Sequence, residues 1–153
     1  MKEIVVILDN VRSALNVGNI FRTSDGAGVS KIYLLGITPE PSHPKVSKTA
    51  LGAEETVPFE KLENKDSEEL ILKLINDGFE IYSIEETNGS ANFFENDFGD
   101  RVAFVFGHEI TGVSNEIMNK SKKILHLPMQ GEKNSLNVSN TVAIVLYSAQ
   151  FGK

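Results

Sequence analysis

The sequence predicts an α/β fold, a mostly parallel sheet flanked by helices, and three observations carry the prediction. First, runs such as EIVVIL at 3–8 and RVAFVFG at 101–107 are apolar almost without interruption, as expected of strands covered on both faces. Second, segments of helical period separate these runs. Third, strands and helices alternate along the whole chain, which is the pattern of a parallel sheet with crossover helices. A chain of 153 residues that is 41% hydrophobic suits one compact domain over 1–153. No internal repeat, low-complexity tract or linker divides it.

The elements follow in order. After the strand at 3–8, Asn16 can cap a helix starting near Val17, with Ile20, Phe21 and Ser24 on its face and Gly26 and Gly28 at its end. KIYLLG at 31–36 is the next strand. Pro39, Pro41 and Pro44 make 37–46 a loop, and one short helix fits Lys45 to Glu54. The stretch Ser67 to Asn76 is amphipathic, with Leu70, Ile71, Leu74 and Ile75 on one face and Gly78 after it. FEIYSIE at 79–85 reads as a strand. Residues 86–100 are polar and pinned by Phe93, Phe94 and Phe98. RVAFVFG is a strand, Asn115 to Lys120 a short helix, KILHLP at 123–128 the last strand, 129–138 a loop, and Ser139 to Gln150 an apolar helix.

Composition excludes several classes. No cysteine is present, so disulfides and cysteine-based metal sites are ruled out. The N-terminal apolar run is far shorter than the roughly 20 residues of a membrane helix. Asp9 and Asn10 close it too early for a signal peptide. The expectation is a cytoplasmic protein without membrane contact. Net charge is -6, which weighs against nucleic acid as a ligand unless basic side chains cluster locally. Arg12, Lys45 and Lys48 supply the best such cluster.

The motifs take up the chemistry. Neither GxGxxG nor GxxxxGK[ST] is present, so a dinucleotide-type Rossmann site and a P-loop are not expected. GHEITG at 107–112 follows a strand, where glycines let backbone approach a ligand and Glu109 can hold an amine or orient an arginine. Taken alone, the segment is better explained as a plain strand-to-helix turn. LPMQGEKNSLNVSN crowds Asn134, Ser135, Asn137, Ser139 and Asn140 between a strand and a helix. A capped loop accounts for one of these groups, and Ser139 or Asn137 is the candidate cap. Interleaved Leu136 and Val138 add the mixed lining of a nucleoside pocket. Arg22, near a helix start with Asn16, Gly18 and Asn19, can bind an anion. His43, His108 and His126 are too scattered for a metal site, and His126 reads as a satisfied structural histidine.

Three segments together resemble the SpoU (TrmH-type) branch of the SPOUT RNA methyltransferases: LDNVRSALNVGNIFRTSDGAG, FVFGHEITGVSNE and LPMQGEKNSLNVSNTVAIVLY, with HPKVSKTALGAEE between the first two. The resemblance implies a SPOUT-type fold with a C-terminal deep trefoil knot, and a homodimer with its active site near the interface. It also implies methyl transfer from S-adenosyl-L-methionine, without a metal, to a ribose 2′-hydroxyl of RNA, with tRNA favoured over rRNA. Position by position it assigns a catalytic group to Arg22, Asn16, Glu109, Ser135 and Asn137. It assigns cofactor contacts to Glu86, Gly107, Leu127, Ser135 and Leu136. Arg12, Arg22, Lys45 and Lys48 are the candidate RNA contacts. Many relatives carry an added RNA-binding domain, and none is expected here. Two other readings compete: a flavodoxin-like or other nucleotide-binding α/β domain, and a knotted module that binds cofactor or RNA without turnover.

Overall fold

The computed structural model describes residues 1–152. Seven strands form one sheet in the order β3-β2-β1-β6-β4-β7-β5, and every pairing is parallel. In chain order the strands are β1 (Glu3–Asp9), β2 (Lys31–Leu35), β3 (Phe59–Leu62), β4 (Glu80–Ile84), β5 (Ala91–Asn92), β6 (Arg101–Gly107) and β7 (Lys123–His126). The helices are α1 (Ala14–Ala27), α2 (Pro44–Ala50), α3 (Ala53–Thr56), α4 (Ser67–Asn76), α5 (Asn115–Lys120) and α6 (Val138–Phe151).

Strand parity divides the core in two. Ile4, Val6 and Leu8 of β1 join Val102, Phe104 and Phe106 of β6 against apolar residues of α1 and α6, such as Ile20, Phe21, Val142 and Leu146. Val5, Ile7, Ala103 and Val105 face the other way, onto Leu70, Ile71 and Leu74 of α4 and Ile117 of α5. Each fully buried side chain of this size contributes about 1.5–3 kcal/mol relative to exposure. Both faces of the central strands are therefore saturated. This leaves the ends of the strands, not the faces of the sheet, as the place for a ligand.

The structure departs from the sequence reading at several elements. Helix α1 begins at Ala14, three residues before Val17, and Ser13 rather than Asn16 is its cap, accepting a hydrogen bond from Asn16 N at 3.2 Å. The one helix expected from Lys45 to Glu54 is two, α2 and α3, broken where Leu51 and Gly52 take positive φ of 52° and 92°. Strand β7 stops at His126, short of Pro128, which cannot donate to a ladder. Two short edge strands, β3 and β5, went unread. Among the described residues no helix is long and apolar enough to cross a membrane.

Candidate active site

Strands β1 and β6 run side by side in register from Glu3↔Arg101 to Asp9↔Gly107, so both end at one level. The carboxyl ends of strands in open α/β sheets are where ligands bind. The turn after β1 is fixed by its own polar groups. Asp9, only 4% exposed, accepts from Ser114 N at 2.7 Å and from Asn10 Nδ2 at 2.9 Å. Asn10 holds a left-handed backbone (φ 62°) that asparagine tolerates, and its Oδ1 accepts from Ile37 N at 2.9 Å. The buried Thr38 hydroxyl accepts from Val11 N at 3.1 Å. Lys61 Nζ donates to the carbonyls of Gly36 and Thr38, and burial lowers its pKa against the opposing pull of Glu40.

The other side of this turn is gripped by Glu109. Its two carboxylate oxygens accept from Arg12 N and Ser13 N, each at 2.9 Å, across 97 and 96 residues of chain. The GHEITG segment is thus tied to the start of α1, through main-chain amides and not through an arginine side chain. The segment itself is a small closed loop. His108 and Gly112 exchange main-chain hydrogen bonds of 3.2 and 2.9 Å, and His108 Nδ1 accepts from Ile110 N at 3.0 Å. A Cβ on Gly107 would sit 2.2 Å from Gly112 C and 2.3 Å from Val113 N. Glycine is required there so that the loop can fold back on the strand end; the close approach is to the chain itself.

Past β7, residues 127–137 form the third wall. Asn137 caps α6, its Oδ1 accepting from Ser139 N at 2.9 Å and from Ser139 Oγ at 2.7 Å. Of the two candidate caps, Asn137 is the one used. The ends of β4, β6 and β7 and the start of α6 enclose a cavity of about 620 Å³, within the range of small-ligand sites. Its lining includes Glu86, Gly107, Glu109, Leu127, Ser135, Leu136 and Asn137, all expected from sequence. Ile84, Phe106, Ile110, His126 and Thr141 also line it and were not expected, and so does His108 of the GHEITG segment. Strand ends could have flagged Ile84 and Phe106; nothing local flags Ile110 or Thr141.

Five expected residues lie elsewhere. Asn16 and Arg22 are on α1, Arg12 precedes it, and Lys45 and Lys48 are on α2; Asn16 is half-buried and the other four are exposed. None of the five lines the cavity. His126 bonds Ser90 through Nδ1 at 2.9 Å, which satisfies one of its two ring nitrogens. Among the described residues no group of three or more His, Cys, Asp or Glu side chains could hold a metal ion.

The cavity walls suit an adenosine-bearing cofactor. Ile84, Leu127 and Leu136 offer apolar surface for a ring. Among the described residues, no group of the chain accepts from the main-chain N–H of Leu127 or Leu136, which leaves both free to donate to a ligand or to water.

The model of a family described as the SpoU rRNA methylase family matches residues 3–147. The chain belongs to this family. The resemblance read from three segments, and with it the expectation of an S-adenosylmethionine-dependent RNA methyltransferase, agrees with that membership. The tRNA (guanosine(18)-2′-O)-methyltransferase of Aquifex aeolicus is 35% identical over 97% of this chain and 69% of its own length. A crystal structure of the A. aeolicus TrmH/SpoU tRNA modifying enzyme superposes with a TM-score of 0.86, over 99% of this chain and 76% of the other, at 35% identity. An AdoMet-bound rRNA methyltransferase from Sinorhizobium meliloti superposes at 0.88 with 28% identity, over 96% of this chain and 55% of the other. The chain thus spans little more than half the length of that last neighbour. The α/β fold with an all-parallel sheet is that of the SPOUT methyltransferases.

Proposed function

We propose that this chain transfers the methyl group of S-adenosyl-L-methionine to a ribose 2′-hydroxyl of RNA, and that the RNA is a tRNA. The observation that carries the proposal is the meeting of Glu86, Gly107, Glu109, Leu127, Ser135, Leu136 and Asn137 around one cavity, in a chain of the SpoU family. The A. aeolicus relative at 35% identity acts on tRNA, whereas a Bacillus subtilis 23S rRNA methyltransferase is 27% identical; this favours tRNA over rRNA. An RNA substrate puts the reaction in the cytoplasm, and residues 1–153 are read as one catalytic domain.

The bound cofactor supplies a methyl carbon made electrophilic by its sulfonium. Leu127, Leu136 and Ile84 would enclose its adenosine, with Gly107 beside them and Glu86 and Ser135 as polar lining. Glu109 fixes the start of α1 against this cavity. Arg22, on the same helix, stays protonated and serves as an electrostatic group rather than a base. It binds the phosphate beside the target ribose and stabilises the alkoxide that develops as the hydroxyl loses its proton. Holding oxygen and methyl carbon in line accounts for the rest of the barrier reduction.

Because Arg22 does not line the cavity of its own chain, this reading needs a second copy to complete the site. A homodimer is supported by exposed apolar side chains on the adjoining helices: Leu15 on α1, and Tyr147 and Phe151 on α6. A C-terminal trefoil knot is supported by the placement of β7, which comes late in the chain yet sits between β4 and β5. Arg22→Ala abolishes methyl transfer to tRNA while S-adenosylmethionine binding survives. Mixed with a variant damaged only in the cavity, it regains part of the activity. Retained transfer by Arg22→Ala alone overturns the assignment of that residue.

A further inference from the structure

A second recess of about 360 Å³ adjoins the cavity and shares Glu86, His126, Met129 and Asn134 with it, while Glu132 and Lys133 also line it. His126 is the last residue of β7 and lies opposite Asn92 of β5. Its Nδ1 is 2.9 Å from Ser90 Oγ. The Ser90 hydroxyl has one proton, and Thr87 O, 2.7 Å away, can only accept it. Ser90 Oγ also accepts from Thr87 N at 3.1 Å. Toward the imidazole, therefore, the hydroxyl is an acceptor and Nδ1 carries the proton. In the neutral ring this leaves the lone pair on Nε2, and among the described residues no group of the chain bonds to it. Two carboxylates, Glu86 and Glu132, stand in the recess against one ammonium, Lys133. A ring-nitrogen acceptor with an excess of carboxylate selects for an N–H donor.

We infer that His126 is a binding residue that accepts a hydrogen bond from an amine of the cavity's occupant through Nε2, with Ser90 as the positioning residue that sets its tautomer. The inference rests on the cavity's being the S-adenosylmethionine site. That cofactor carries an amine on its adenine and another on its amino-acid arm.

The test uses the intact protein, with S-adenosylhomocysteine and 5′-methylthioadenosine as calorimetric probes; the second lacks the amino-acid amine. Nitrogen-15 spectra of the histidines should place the His126 proton on Nδ1, and Ser90→Ala should erase that preference. His126→Phe, which keeps a ring but no acceptor, should weaken S-adenosylhomocysteine about tenfold. His126→Gln, whose amide oxygen can stand near Nε2, should come back to within about threefold. A loss confined to S-adenosylhomocysteine assigns the contact to the amino-acid amine, and an equal loss for both probes assigns it to the adenine amine. Unaltered affinity for both probes in His126→Phe, or a proton found on Nε2, overturns the inference while the cofactor reading stands. Failure of S-adenosylhomocysteine to bind the unaltered protein overturns the cofactor reading and the amine contact together, whatever the tautomer.

Discussion

Glu109→Gln isolates the contact on which the geometry of the site depends. The wild-type carboxylate accepts two main-chain hydrogen bonds, from Arg12 N and Ser13 N at 2.9 Å each. Glutamine keeps one acceptor oxygen and sets an NH2 donor against the other N–H. Hydrogen bonds to a charged group contribute about 1.5–3 kcal/mol when sheltered. Glu109 is exposed, so water can replace part of the loss, and the expected cost is about 1–2 kcal/mol. In a domain of this size that lowers the unfolding midpoint by about 3–6 °C. The local signature is sharper: amide exchange at Arg12 and Ser13 should accelerate about 5- to 30-fold, with little change elsewhere. Methyl transfer should fall about 10- to 100-fold because the start of α1 is no longer fixed against the cavity. Glu109→Asp, one methylene short of spanning both amides, should resemble the glutamine variant. Wild-type exchange rates at Arg12 and Ser13 in Glu109→Gln would show that the carboxylate does not hold this turn.

Three further outcomes follow from the structure. Gly107→Ala places a Cβ 2.2 Å from Gly112 C and 2.3 Å from Val113 N, and should cost about 3 kcal/mol or more in urea unfolding. Burial disfavours the charge on Glu80, but hydrogen bonds from Lys122, Gly99 N and Tyr82 outweigh it and hold its pKa below the ordinary carboxylate value. The stability it contributes is present above the unfolded carboxylate pKa and is lost as pH falls through the folded one. The urea midpoint of Glu80→Gln should therefore depend less on pH on the acid side, and an unchanged acid limb would contradict the attribution. Replacing Lys45 and Lys48 together with alanine should weaken tRNA binding and flatten the dependence of log K on log salt by about 1–2. An unaltered slope would remove both from the RNA surface.

How far the sequence spoke depended on how local the deciding physics was. Helix α5 and strand β6 fall where their patterns put them, because a helical period or an unbroken apolar run decides them within a few residues. Strand β3 (FEKL) is an exposed edge with no apolar face, and β5 is two residues held only by β7; neither has a pattern to read. Ser13, the true cap of α1, stands directly before ALNVGN, but Asn16 offers the same chemistry a turn later. At the site, local physics favours a turn or a cap over a ligand pocket for each motif taken alone. Both descriptions hold together. Asn137 caps α6 and lines the cavity, and Gly107 permits a tight loop in the cavity wall. What no local reading can reach is Glu109 holding amides some 97 residues away.

The acidic balance, which stood against an RNA ligand, loses force once the cations are traced to their partners. The sequence has 15 Lys and Arg residues. Lys31, Lys65, Arg101, Lys120 and Lys122 are each paired with a glutamate. Lys2, Lys61 and Lys123 are spent on neutral oxygens of the chain. Among the described residues, the side chains of Arg12, Arg22, Lys45, Lys48, Lys73 and Lys133 make neither kind of contact. The four residues proposed for RNA are all in that small group, and all four are exposed. Charge acts on a phosphate over about 8–10 Å at ordinary salt, so the net value of the whole chain matters less than which side chains the fold leaves uncommitted. Arg12, Arg22, Lys45 and Lys48 lie before and along α1 and on α2, and α1 is the helix whose start Glu109 ties to the cavity. The same helix thus presents positive charge and is anchored at its start to the cavity wall by Glu109.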